Sequence, residues 1–240
     1  MNQPSLVKKN FNRAKASYQH SCQPQLIAGR RLIEKLTLHR QSAHHIIDLG
    51  CGTGVVSRLL LDRIPAQQYT GIDFATELIQ QASNHIGRNA TWLMMDFDRL
   101  SFTHCANIVF SNMALHWSKD FKKIIASIFH ILTDDGLLAF SIPLQHCFYQ
   151  LDSSQRNHFI SFKQCASLLQ RSNFQLLHVS QYYSNYVFNS QYEALRHIKS
   201  TGANTLLNRT TGQLCRQQLM QKREFALSYH IGLFIARKPL

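Results

Sequence analysis

The chain has 240 residues, 45% of them hydrophobic and 16% charged, and its 26 Lys and Arg against 13 Asp and Glu give a formal net charge of +13. That length fits one generous domain with an appended subdomain, and the composition excludes collagen-like and disordered classes. The charge points toward an acidic partner, whether nucleic acid, anionic lipid or an acidic carrier protein.

The six cysteines, Cys22, Cys51, Cys105, Cys147, Cys165 and Cys215, form no Cys-x-x-Cys pair. Neither a zinc ribbon nor a thioredoxin-type redox site is signalled, no metal site is expected, and reduced thiols in a cytoplasmic protein are the expectation. No apolar run approaches the roughly 18–20 residues needed to cross a bilayer, and the N-terminus lacks the apolar stretch of a signal peptide, so no membrane association is expected.

Residues 1–33 carry Lys8, Lys9, Arg13, Lys15, Arg30 and Arg31, and the first acid is Glu34. A transit peptide has this character. However, Leu26, Ile27, Leu32, Ile33 and Leu36 recur at helical spacing and give a buried face that a cleaved peptide does not need. Residues 1–40 are therefore read as a basic helical arm, placed to cover a site or dock an acidic partner, ahead of a main domain at 41–240.

Beyond residue 41 short β-rich runs alternate with helical ones, the pattern of a parallel sheet covered by helices. Residues 44–49 (HHIIDL) read as the first strand, 50–54 (GCGTG) as a tight loop, and 55–64 as a helix stopped by Pro65. A second strand follows at 69–74, a helix at 75–86, a third strand at 91–97 and a fourth at 106–111. Phe121, Ile124, Ile125, Ile128, Phe129 and Leu132 mark a helix over 119–132, and Asp134-Asp135-Gly136 turns the chain into a strand at 137–142. After about residue 143 the spacing predicts helices at 162–171, 191–199 and 214–222 and strands at 175–187 and 225–237. The last two strands read as a closing hairpin with a helical insertion before or between them.

The chemistry is concentrated at three strand ends. Asp48-Leu49-Gly50-Cys51-Gly52-Thr53-Gly54 is a strand running into a glycine-rich turn, where open α/β sheets bind ligands. The glycines let backbone approach a ligand with no Cβ in the way. The GxGxG spacing differs from the GxGxxG of dinucleotide folds, and no GxxxxGK[ST] occurs. A tight turn with no ligand stays open for this loop by itself. Asp73 ends the second strand, where a carboxylate can accept both hydroxyls of a ribose, and Asp96 ends the third, where it can accept from an adenine amine. Either carboxylate alone is equally an N-cap or turn former.

Together these residues resemble the class I S-adenosylmethionine-dependent methyltransferases over roughly residues 41–143. The resemblance implies a Rossmann-like α/β fold with a mostly parallel sheet, an antiparallel last strand, an N-terminal helical lid and a small helical insertion. It also implies S-adenosyl-L-methionine as cofactor. Asp48, Gly50, Cys51 and Gly52 would line its amino-acid end, Asp73 would hold its ribose, Asp96 with Phe97 its adenine, and Asn112 would lie beneath its methionine portion, with Gly54 and Phe74 as further cofactor-binding residues.

Ser111-Asn112-Met113-Ala114-Leu115-His116-Trp117 is not the [DN]PP[YF] of base N-methyltransferases, and no cysteine follows a proline as a cytosine-C5 enzyme requires. It resembles instead the SN-x-A-x-x-W segment of the malonyl-[acyl-carrier protein] O-methyltransferases. Both flanks agree: Phe11, Arg13, Ala14, Tyr18 and Gln25 match an F-x-R-A…Y…Q pattern, Lys199, Gly202 and Ala203 a K-x-x-GA segment, and Leu227-Ser228-Tyr229-His230 the terminal LTYH strand. The chain departs from that family at Asn107, where an Asp is usual, at Asp134-Asp135-Gly136, and over 145–155, where the substrate should enter.

The resemblance implies transfer of a methyl group to the free carboxylate of a malonyl thioester, on an acidic acyl-carrier protein or on coenzyme A, the step that starts pimeloyl and biotin synthesis. A carboxylate is already ionised at neutral pH, so the reaction needs alignment and desolvation rather than a base. Tyr18 is the candidate lid and catalytic donor, Trp117 and His116 are candidate substrate contacts, and Arg196, Lys199 and Arg223 are candidate partners for the carboxylate. Two other readings stay open: a methyltransferase acting on another small molecule or on RNA, and a binding module that has kept the fold. RNA is disfavoured because Phe and Tyr fall mostly at core spacing.

Overall fold

The computed structural model describes residues 23–86, 90–153, 156–200 and 223–240, the side chains of Lys199 and Ser200 excepted. Helix α1 (Gln23–Leu36) leads into β1 (Ala43–Leu49), α2 (Val55–Arg63), β2 (Ala66–Asp73), α3 (Thr76–Ile86) and β3 (Thr91–Met94). Then come β4 (Ala106–Asn112), α4 (Phe121–Ile131), β5 (Leu132–Pro143), α5 (Phe162–Arg171), β6 (Gln175–Phe188), α6 (Gln191–Ser200) and β7 (Phe225–Arg237). The strands form one seven-stranded sheet in the order β3-β2-β1-β4-β5-β7-β6. The first five are parallel, and β7 runs antiparallel to both β5 and β6. The expected architecture holds, with α5 ahead of the closing hairpin and α6 inside it.

Burial explains each layer. The second half of β1, Ile46 to Leu49, is buried throughout, as a central parallel strand covered on both faces must be. In α4, Ile124, Ile125, Ile128 and Ile131 make one buried stripe, and the Asp120 carboxylate caps the helix by accepting from the Lys123 N–H at 3.0 Å. One face of the sheet packs against α1, α2 and α6, with Ala28, Leu32 and Leu36 of α1 fully buried there. The opposite face packs against α4 and α5.

Three expected boundaries shift. β2 begins at Ala66 instead of residue 69, because Ala66 and Gln68 already pair with β1 although Gln67 and Gln68 are exposed. β3 stops at Met94, since the Asp96 carboxylate accepts from the Asp98 N–H and winds residues 97–99 into a 3-10 turn. β5 begins at Leu132, and its register with β4 jumps between the Ala106–Leu132 and Ile108–Leu137 pairs. The intervening Asp135 has φ 59 and takes Arg40 at 2.9 Å and Arg237 at 3.2 Å. The helix expected at 214–222 lies outside the described residues.

β1 and β4 are neighbours whose crossovers leave in opposite directions, so the carboxyl ends of β1 and β4 form the switch point at which such sheets hold ligands.

Candidate functional site

The glycine-rich turn leaves β1 at this switch point with Gly50, Gly52 and Gly54 at φ 73, 57 and 78. These left-handed values suit glycine, and at two of the positions close packing demands it as well. A Cβ on Gly50 would sit 2.3 Å from that of Ala114, and one on Gly54 would sit 2.8 Å from the Ala82 backbone of α3. The Gly50 and Cys51 N–H groups donate to the Ile72 carbonyl at 2.8 and 3.1 Å, fastening the turn to β2.

Two buried carboxylates stand behind the turn. Asp48, 2% exposed, accepts from the Ser57 hydroxyl at 2.6 Å and the Tyr69 hydroxyl at 2.8 Å. Burial pushes its pKa up to about 6, against the downward pull of those two hydroxyls. Asp73 accepts from the Gly52 N–H at 3.0 Å and the Ala75 N–H at 2.9 Å, so it joins the turn to the start of α3. Burial raises it to about 6 as well, partly offset by backbone amides. The Cys51 thiol is pushed well above its usual value by burial first and then by the charges of Asp48 and Asp73, a sign of negative potential at this turn.

A cleft opens beside the turn. Asp48, Gly50, Cys51 and Gly52 line it together with Val55 and Val56 of α2, Asn112 at the end of β4, and Gln25 and Leu26 of α1. Asn112 is held on both sides: its Oδ1 accepts from the Ser141 hydroxyl at 2.7 Å, and its Nδ2 donates to the Gln25 carbonyl at 2.9 Å. Met113 follows at φ 53, a left-handed value held by its N–H bonding back to Ser141. The arm helix α1 is thus pinned onto the mouth of the switch point.

The other expected residues are spread over several elements. Gly54 ends the turn as the residue before α2, and Asp73 and Phe74 stand one strand over. Asp96 accepts from the Asp98 N–H at 3.0 Å and lies 3.5 Å from the Lys119 ammonium, while Phe97 is buried in the 3-10 turn that follows β3. His116 and Trp117 occupy a 3-10 turn after β4 and are not among the residues lining the cleft. The His116 ring packs on Trp117 and Phe159 with centroids 4.9 and 5.6 Å apart, and burial pushes its pKa down to about 3. Of the three candidate cations, Arg196 and Arg223 are exposed, and the Lys199 side chain lies outside the described residues. Tyr18 lies outside them too.

Sequence reasoning missed Ser57, Tyr69 and Ser141, and it noted Gln25 as a pattern match without placing it at the site. No local signal marks them, since each reaches the site through tertiary pairing. The unusual Asn107 serves the sheet: its side-chain oxygen accepts from the His44 and His45 N–H groups at 3.1 and 2.9 Å, tying β4 to the start of β1. In the divergent 145–155 stretch, the Gln150 amide bonds Ser228 of β7 through both its oxygen and its nitrogen.

A family model described as a methyltransferase domain matches residues 46–136, from β1 into the turn of β5. The chain is 32% identical to malonyl-[acyl-carrier protein] O-methyltransferase 2 of Coxiella burnetii, over 97% of this chain and 95% of that protein. It is 34% identical to the malonyl-[acyl-carrier protein] O-methyltransferase of Bacillus anthracis, over 62% of this chain and 57% of that protein. Solved structures share the fold at low identity. The N-methyltransferase NodS of Bradyrhizobium japonicum in complex with S-adenosylhomocysteine has a TM-score of 0.59 at 13% identity, covering 87% of this chain and 84% of that one. The Burkholderia thailandensis 1,6-didemethyltoxoflavin-N1-methyltransferase, with its substrate and S-adenosylhomocysteine bound, has a TM-score of 0.60 at 15% identity, covering 99% and 89%.

Proposed function

This chain belongs to the malonyl-[acyl-carrier protein] O-methyltransferase family, and we propose that it methylates the free carboxylate of a malonyl thioester on an acidic acyl-carrier protein, with S-adenosyl-L-methionine as donor and a biotin precursor as product. The observation that carries this reading is the reach of the similarity: it spans 97% of the chain and so includes both flanks of the cofactor core. The chain is a methyltransferase in any case, by its domain match and by its relatives.

The residues present fit the cofactor. Two buried carboxylates place negative potential behind a turn whose glycines leave backbone bare, and that suits a ligand bearing a sulfonium and an ammonium. When bound, S-adenosylmethionine supplies an electrophilic methyl group on sulfur. Asp48, Gly50, Cys51, Gly52 and Asn112 would hold its amino-acid end, Asp73 and Phe74 its ribose, and Asp96 and Phe97 its adenine.

What remains for the protein is alignment and the removal of water. A malonyl carboxylate is ionised at neutral pH, so no side chain has to take a proton from it. Its hydration shell must instead be exchanged for fixed donors. His116 meets this requirement only as a neutral N–H donor, because burial keeps it uncharged. Its Nδ1 is buried with no hydrogen-bond partner among the described residues, which leaves that nitrogen available to a substrate group brought against it. Trp117 beside it would wall the acyl thioester, and Tyr18 is proposed to close over the reacting groups and donate to the carboxylate. The net charge of +13 suits an acidic carrier protein.

The chemical class is tested by following label from the methyl of S-adenosylmethionine into malonyl-carrier protein and then treating the product with mild alkali. Release of the label as methanol is expected of a methyl ester. Label that survives alkali would be an N- or C-methyl group and would refute carboxyl transfer.

A further inference from the structure

A residue of the cleft lining carries a polar side-chain atom with no hydrogen-bond partner among the described residues. The side-chain oxygen Oε1 of Gln25 is buried and accepts no hydrogen bond. Gln25 lines the same cleft as Gly50, Cys51, Gly52 and Asn112. A buried amide oxygen with no donor costs stability, and such atoms in native proteins commonly meet a water or a ligand. Gln25 is also fixed in place, because its carbonyl accepts the Asn112 Nδ2–H at 2.9 Å from the end of β4. Among the described residues this is the link between the first turn of α1 and the switch point through which Gln25 is held.

We propose that Gln25 is a specificity-determining residue of the cofactor site, its Oε1 accepting a hydrogen bond from the α-ammonium group of the S-adenosylmethionine amino-acid end. The inference rests on the reading of the cleft as the cofactor site. An ammonium is the fitting donor because the Asp48 carboxylate, which lines the same cleft as Gln25, favours a cationic group there. It also gives α1 a role beyond cover. The helix would sense the amino-acid end of the cofactor and relay its presence through the Asn112 tether to the end of β4, where the residues proposed for the substrate follow.

The test is a calorimetric titration of the full chain with S-adenosylhomocysteine, its deaminated analogue and its decarboxylated analogue, for the native protein and for Gln25→Met and Gln25→Glu. A hydrogen bond to a charged group sets the expected loss at about 10- to 100-fold in affinity when the amine is removed, with a smaller loss when the carboxylate is removed. Gln25→Met keeps the backbone carbonyl that holds Asn112 and removes the side-chain acceptor. It should bind S-adenosylhomocysteine more weakly by a similar factor and no longer distinguish the deaminated analogue. Gln25→Glu puts a charged acceptor at the same place and should widen the gap between S-adenosylhomocysteine and the deaminated analogue, so an unchanged gap in that variant overturns the proposal even if the Met variant fails to fold. Retained discrimination in a folded Gln25→Met protein overturns the proposal. So does a native protein that loses affinity with the carboxylate instead of the amine, which would place the Gln25 NH2 group toward the ligand. Failure of the native protein to bind S-adenosylhomocysteine at all would refute the cofactor reading itself, a result distinct from either of these.

Discussion

Replacing Tyr69 by Phe removes one hydroxyl from behind the glycine-rich turn and leaves the rest of the ring in place. The ring keeps its edge contact with Trp92, with centroids 5.6 Å apart, so packing in this part of the core is preserved. What is lost is a 2.8 Å hydrogen bond to a carboxylate that is 2% exposed. Asp48 has its pKa raised from 3.8 to about 6, so it is ionised in the folded protein at pH 7.5 and protonated at pH 4.5. A group raised in this way contributes most below its unfolded pKa, and its contribution is lost as pH rises through the folded value. The Tyr69 hydroxyl offsets part of that loss because it stabilises the charged form. The variant should therefore be less stable than the native protein by about 2 kcal/mol at pH 7.5, the range for a hydrogen bond to a charge, and by about 1 kcal/mol at pH 4.5, where the bond is neutral. Urea denaturation of both proteins at the two pH values measures the difference. An equal loss at both, or a larger loss at pH 4.5, would refute the claim that Tyr69 supports an ionised Asp48.

Two other changes probe the same wall. Gly50→Ala forces a Cβ to within 2.3 Å of that of Ala114 at φ 73, so left-handed strain and overpacking together should cost about 3 kcal/mol of stability. Thermal melts should show part of this recovered in the double variant Gly50→Ala, Ala114→Gly, and no recovery would mean that the contact is not the cause. Asp73→Ala leaves the Gly52 and Ala75 amides without their acceptor, and it should abolish S-adenosylhomocysteine binding by calorimetry in a protein that still folds. Normal affinity in that protein would remove Asp73 from the site.

Where the determinants are local, the sequence is readable. The turn after β1 is legible because glycines at 50, 52 and 54 answer to the backbone conformation at those same positions. The α4 stripe is legible because Ile124, Ile125, Ile128 and Ile131 follow the helical period. The end of β3 is not, because residues 91–97 read as one extended run until the Asp96 carboxylate is seen turning back to the Asp98 N–H. The site follows the same rule. Asp48 and Asp73 are found from their places at strand ends, but their partners are not. Tyr69 reaches Asp48 only because β1 and β2 pair side by side, with Asp48 opposite Gly71. Gln25 reaches the cleft only because Asn112, 87 residues later in the chain, binds its carbonyl. Such contacts belong to the assembled sheet, and no spacing along the chain announces them.

Methyl transfer to a malonyl carboxylate adds a mass that is read on the intact acyl-carrier protein. Malonyl-carrier protein is incubated with the full chain and S-adenosylmethionine beside acetyl-carrier protein, which has the thioester without the free carboxylate. A gain of one methyl group on the malonyl form and none on the acetyl form is expected. No gain on the malonyl form from a protein shown to bind S-adenosylhomocysteine, or an equal gain on both forms, would contradict carboxyl transfer.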